Sequence, residues 1–275
     1  MQSDTVRHFA TVHGFTYQLA TLLGGGGRWR HPPTNTSLCA YDLKVVQVWR
    51  TLHSLPEGDW LLYLDLDMQY ACDDPRANDP QWLGSMLPVR AREDSSECHF
   101  IARHEFHAIN TGFVALRANQ KGRDLVDAWN DGQRRLRVCE GSADQHALQS
   151  AVLTQMGVPS ARCDEYANRH VNGDDPPNAR RPNVWLDKSN DCFEDKLMSA
   201  GTQEQGRIRR VPSQRGICLL SDLSRGELAA AAGGRVQSFM DYQKGDVFRH
   251  KQPSADMAKR CLMDAPRINQ SSIST

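Results

Sequence analysis

Asp65 and Asp67 stand one residue apart, directly after the apolar run Trp60-Leu61-Leu62-Tyr63-Leu64. Two carboxylates so spaced can share one hard divalent cation, either directly or through water. Mg²⁺ and Mn²⁺ prefer such oxygen donors and commonly bridge protein carboxylates to substrate phosphates. A cation held there would neutralise a leaving diphosphate, which is what departure of a nucleotide from a sugar requires. The D-x-D spacing alone is a weak signal, because two acids a residue apart arise often by chance. The run before it adds weight, since charge at the end of a buried strand is costly unless a cation offsets it.

The elements that must position this pair can be read from the surrounding pattern. Trp60–Leu64, entered through the turn residues Glu57-Gly58-Asp59, predicts a strand buried on both faces, as in a parallel sheet. Its acids then fall at the carboxyl edge, where open α/β sheets bind ligands. Upstream, residues 6–13 read as a short helix and 15–23 as a strand. Gly24 to Gly27, with Pro32 and Pro33, breaks the chain into a loop. Residues 42–52 predict an amphipathic helix, with Leu43, Val46, Trp49 and Leu52 on one face.

Downstream, Asn110-Thr111-Gly112 leads into a short apolar strand at 113–116, and residues 124–131 read as a helix turning Leu125, Ala128 and Trp129 inward. Ser142-Ala143-Asp144-Gln145 has the form of a capping box, so a helix should run to about residue 156 with Ala147, Leu148, Ala151 and Val152 as its apolar face. Residues 172–183, rich in Pro, Asp and Arg, predict a loop. A weaker second half closes with 245–250. The alternation of strands and helices predicts one α/β domain over 1–263, with a mostly parallel central sheet, helices on both faces and a polar tail at 264–275.

Composition narrows the function classes. The 33 basic and 33 acidic residues balance to a formal charge of zero. A nucleic-acid binder usually carries a basic excess, so none is expected as a partner. Arg134, Arg135 and Arg137 read as a solvated helix face. No run approaches the roughly 20 apolar residues that cross a bilayer, and residues 1–12 lack the pattern of a signal peptide. Eight cysteines are spread widely without a CxxC pair, which argues against a zinc ribbon or a thioredoxin-like site and leaves disulfides open. Asn35 and Asn269 head formal glycosylation sequons.

Five blocks together resemble a known family. Trp60-Leu61-Leu62-Tyr63-Leu64-Asp65-Leu66-Asp67 is similar to the W-hhhYLDxD signature of GT-A glycosyltransferases. In particular it resembles the galactosyl-, mannosyl- and xylosyltransferase group that includes plant xyloglucan xylosyltransferases and yeast α-1,6-mannosyltransferase subunits. Lys44 lies in a helix resembling one that carries a Lys in that group. The segment from Asn110 to Arg117 resembles its N-x-G-hhhhR strand, Asp144-Gln145 its D-Q pair, and the segment from Phe239 to His250 its F-N-x-Y-x-x-G-D-hhhH block.

The resemblance implies a GT-A fold and a metal-dependent enzyme. Such an enzyme moves a hexose or pentose from a nucleotide-sugar donor to a glycan or glycoprotein acceptor, with Mn²⁺ or Mg²⁺ as cofactor. It implies Asp65, Asp67 and His250 as metal ligands, with Asp65 also reaching the donor ribose. Lys44 and Lys251 would contact the donor, Lys251 at its diphosphate. Asn110 and Gly112 would line the acceptor side, and Asp144 and Gln145 would be the catalytic pair facing the transferred sugar. It further implies a Golgi-lumen protein attached to the membrane through an anchor not seen in this sequence. A first strand with its nucleotide-base loop is expected ahead of 6–23, where these residues show none. His250-Lys251-Gln252-Pro253 replaces the family's H-F-A-G.

Other readings stay open beside these. Cys98, His99, His104 and His107 form a cluster, but strand alternation would point neighbours to opposite faces, against a zinc site. His170 is a reserve metal ligand. A haloacid-dehalogenase phosphatase also opens with an apolar strand and D-x-D, although Met68-Gln69 follows here where that family carries Thr or Val. An incomplete, non-catalytic member serving as a binding or partner subunit is the remaining alternative.

Overall fold

The apolar run before the acids forms strand β3 (Trp60–Leu64) in the computed structural model, with the bounds its turn residues predict. The structure describes residues 6–7, 10–18, 29–31, 36–38, 40–65, 68–70, 97–105, 108–136, 143–171, 184–199, 215–221 and 248–250. The chain divides into two compact units. One comprises Ala20–Leu64 and Pro88–Leu223, and the other Met1–Leu19, Asp65–Leu87 and Ser224–Thr275.

The larger unit is α/β. It holds β1 (Trp29–His31), β2 (Thr36–Leu38), α1 (Ala40–Ser54), β3, β5 (Phe100–Glu105), β6 (Ala108–Arg117), α2 (Gln120–Leu136), α3 (Ala143–Gln155), α4 (Ala161–Val171), α5 (Val184–Ser199) and β7 (Ile217–Ser221). Its main sheet has the order β3-β6-β5-β7. β6 runs antiparallel to both β3 and β5, and only β5 and β7 are parallel. The sheet is therefore mixed, which corrects the expectation of a mostly parallel one. The reason is local: β5 and β6 pair as neighbours from Phe100↔Leu116 to Glu105↔Ala108, without a crossover helix between them. β3 lies at the edge of the described sheet, and all five of its residues are half-buried rather than buried on both faces.

The helices form where the apolar spacing places them. α1 outruns its predicted range by two residues at each end, and Val45, Val48 and Leu52 reach the core. α2 starts after Asn119, whose side chain caps the Gly122 N–H at 2.8 Å, and buries Leu125, Val126 and Trp129. α3 buries Ala147, Leu148, Ala151 and Val152 as expected. α2 crosses α3 closely at Gly132, where an added Cβ would stand 3.3 Å from that of Ala147. Burying large side chains such as Trp129, Phe100, Phe113 and Phe193 stabilises the unit by roughly 1.5–3 kcal/mol each.

α4 and α5 were not legible as helices. Their apolar faces are thin, with Cys163 and Ala167 on one and Phe193 and Leu197 on the other. A Cys163–Cys192 disulfide joins them, and Cys98–Cys218 ties the start of β5 to β7. Gly216, at φ +80°, passes so close to the His99 ring that a side chain there would collide with it.

The smaller unit contains a helical turn through residues 10–12, closed by Phe15 donating to the Ala10 carbonyl at 2.7 Å, with Gly14 at φ +70°. Residues 15–18 carry no strand pairing, which corrects the strand expected at 15–23 over those four positions. Phe15 instead uses its N–H to close the turn. The unit's strands are β4 (Met68–Tyr70) and β8 (Phe248–His250), which pair antiparallel. The loop expected at 172–183 and the tail at 264–275 lie outside the described residues. No described helix is long and apolar enough to cross a membrane.

Candidate functional site

In the smaller unit the strand that follows the D-x-D segment pairs with the strand that ends in His250. Asp65 follows β3 directly and is half-buried. Asp67 and Lys251 lie outside the described residues, but their chain neighbours do not. β4 begins one residue after Asp67, and its register places Met68 opposite His250, Gln69 opposite Arg249 and Tyr70 opposite Phe248. Directly paired residues of antiparallel strands stand about 5 Å apart at Cα. The strand that begins just after the second acid thus pairs with the strand that ends in His250, although the two are far apart in sequence. Carboxylate oxygens with one neutral imidazole make a donor set that fits Mn²⁺. Among the described residues no group of three or more His, Cys, Asp or Glu side chains is arranged to hold a metal ion.

In the larger unit a second constellation is resolved in side-chain detail. The Lys44 ammonium, on α1, lies 3.0 Å from Asp144 Oδ2 and donates to Thr111 Oγ1 at 2.9 Å. Thr111 in turn donates to Asp144 Oδ2 at 2.6 Å. The ion pair is nearly dry, with side-chain exposures of 8% and 2%. Lys44 also lies 5.2 Å from the centre of the Tyr63 ring, a cation–π distance. The Trp129 indole donates to the Asp144 carbonyl at 2.9 Å, so α2 anchors the first turn of α3. Asn110 folds back to accept the Gly112 N–H at 2.6 Å. Gln145, the next residue on α3, is half-buried.

Four of the residues singled out from sequence therefore gather on β6 and at its flanks: Lys44, Asn110, Gly112 and Asp144. Thr111 and the Trp129 indole were missed as parts of the site. The only sequence signal for Thr111 was its place between Asn110 and Gly112. Trp129 read correctly as core, but its N–H needs a partner wherever it is buried.

The cysteine and histidine cluster is resolved differently. Cys98 is committed to its disulfide and supplies no thiolate, while buried His99 meets Gln155 Oε1 through Nε2 at 3.0 Å. The side chain of His104 and all of His107 lie outside what the structure describes. His170, on α4, stands near His146 of α3, with ring centres 6.2 Å apart and Phe193 6.1 Å away on a stacked ring.

His146 is 1% exposed, and neither ring nitrogen has a hydrogen-bond partner among the described residues. Burial, and next the charge of His170, push its pKa down to about 4 from an ordinary 6.5; Asn190 and Asp144 pull the other way, the former without hydrogen-bond geometry. His99 is lowered too, chiefly by burial. Between pH 6.5 and 4 the unfolded chain takes up a proton that folded His146 refuses. Stability is therefore complete above about pH 6.5 and falls as pH drops towards 4, by up to about 3 kcal/mol from His146. Urea midpoints measured at pH 7 and pH 4.5 should show this loss, and His146→Gln should shrink it. An undiminished loss in that variant would reject His146 as the source.

Comparison of the chain with protein-family models, with curated proteins and with solved structures returns no match.

Proposed function

We propose that this chain is a GT-A-type glycosyltransferase that binds a divalent metal through the D-x-D segment and His250. On this reading it transfers a hexose or pentose from a nucleotide-sugar to a glycan or glycoprotein hydroxyl. The observation that carries the reading is the β4–β8 register, which sets the strand after Asp67 against the strand that ends in His250. That pairing is what a shared metal site requires of two segments so distant in sequence.

In the reaction the bond between the anomeric carbon and the diphosphate oxygen breaks, and the nucleoside diphosphate leaves with the electron pair. The acceptor hydroxyl oxygen forms the new bond, and its proton passes to the leaving diphosphate or to solvent. Bound Mn²⁺ or Mg²⁺ would supply charge neutralisation at the leaving diphosphate. Asp65 and Asp67 would hold that cation with His250, and Lys251 would meet the diphosphate as a point charge. By the resemblance, Asp144 and Gln145 would face the transferred sugar, and Asn110 with Gly112 the acceptor. The two disulfides favour an oxidising compartment, and with the sequons they support a Golgi-lumen location.

Calorimetric titration of UDP and GDP into the protein tests the proposal, in Mn²⁺ and again in chelator. One nucleotide should bind, and only with metal present. If folded protein binds neither, or binds equally well in chelator, the metal-dependent transferase reading fails, and a non-catalytic partner subunit becomes the better account.

A further inference from the structure

β6 departs from a regular ladder at one place. Across β5 the register steps from Ala102↔Val114 to Arg103↔Asn110, so Thr111, Gly112 and Phe113 have no opposite residue there. On the other side β3 reaches only as far as Phe113. Thr111 and Gly112 thus sit in a bulge that neither neighbouring strand pairs. A bulge bends its strand and re-aims the side chains it carries. The Asn110 carboxamide takes up the Gly112 N–H that the ladder has released.

The re-aimed Thr111 hydroxyl has its hydrogen-bond directions fixed by its partners. An ammonium can only donate and a carboxylate only accept. Lys44 therefore donates to Oγ1, and Oγ1 donates to Asp144 Oδ2. Rotating Thr111 breaks both bonds at once. One Asp144 oxygen receives Lys44 and Thr111 together, and that side chain is 2% exposed. The carboxylate is thus enclosed with Lys44 and Thr111, while the adjacent Gln145 is half-buried.

We infer that Thr111 is a positioning residue: it pins Asp144 so that Asp144 fixes the first turn of α3, and Gln145 rather than Asp144 meets the transferred sugar. The functional half of this inference rests on the transferase reading, whereas the pinning of α3 does not.

Thr111→Val keeps the shape and removes the hydroxyl, and Thr111→Ser keeps the hydroxyl. Two readouts on the full chain separate the claims. The first is amide hydrogen exchange at residues 143–147. Protection should fall in Thr111→Val and return in Thr111→Ser; equal protection in all three proteins overturns the pinning.

The second readout is kcat and KM with UDP-galactose, UDP-xylose and GDP-mannose in Mn²⁺. A misplacement on the scale of 1 Å costs about a hundredfold in rate. Thr111→Val should lose kcat on that scale with donor KM little changed, and Thr111→Ser should restore it. Wild-type kcat in Thr111→Val, or a Ser variant as slow as the Val variant, overturns the functional half. A wild-type protein that turns over none of the three donors refutes the transferase reading and this functional half with it, while the exchange result still decides the pinning.

Discussion

Asp67→Asn should lower transfer turnover by about a thousandfold, roughly 4 kcal/mol of lost charge stabilisation at the leaving diphosphate. The exchange is isosteric and removes one negative charge from the proposed ligand set. Thermal unfolding should move by no more than a few degrees for so conservative an exchange. Metal dependence should change along with rate, because an amide oxygen binds Mn²⁺ more weakly than a carboxylate does. A variant with near-normal turnover in Mn²⁺ would remove Asp67 from the ligand set and leave the D-x-D spacing as coincidence. Loss of folding, read by circular dichroism, would instead give this acid a structural role.

The second large effect concerns stability. Lys44→Met removes the cation from a carboxylate that is 2% exposed, while Thr111 still donates to it. Breaking one side of a buried pair costs about 3–5 kcal/mol, a large part of the stability of an ordinary domain. Pairing that change with Asp144→Leu takes away the stranded charge and should recover much of the loss. Denaturant unfolding of the two single variants and the double variant gives the coupling directly. If Lys44→Met unfolds within about 1 kcal/mol of wild type, the pair is solvated in solution and its anchoring role falls.

What could be read from the residues was whatever depended on local periodicity. β3, α1 and α3 formed close to where apolar spacing and turn residues placed them, because each element's own sequence decides it. The sense of the sheet was not legible. A hydrophobic run such as Trp60–Leu64 fits a buried parallel strand and a half-buried antiparallel edge equally well, and the choice lies with its neighbours. The bulge at Thr111 and Gly112 escaped for the same reason, since register belongs to a pair of strands and not to one. Lys44 and Asp144 were each singled out, but nothing in their spacing announced a salt bridge between α1 and α3. The pairings of Cys98 with Cys218 and of Cys163 with Cys192 were equally hidden, because connectivity follows from the fold.

The pairing of β4 with β8 also sets an order in time. During synthesis the two acids emerge early, whereas Phe248–His250 leaves the ribosome only when most of the chain has been made. A nascent chain would carry its carboxylates long before the strand bearing the imidazole arrives. On the proposed reading, metal capture would be a late assembly event, because a chain cut short before Phe248 lacks the strand that pairs with β4.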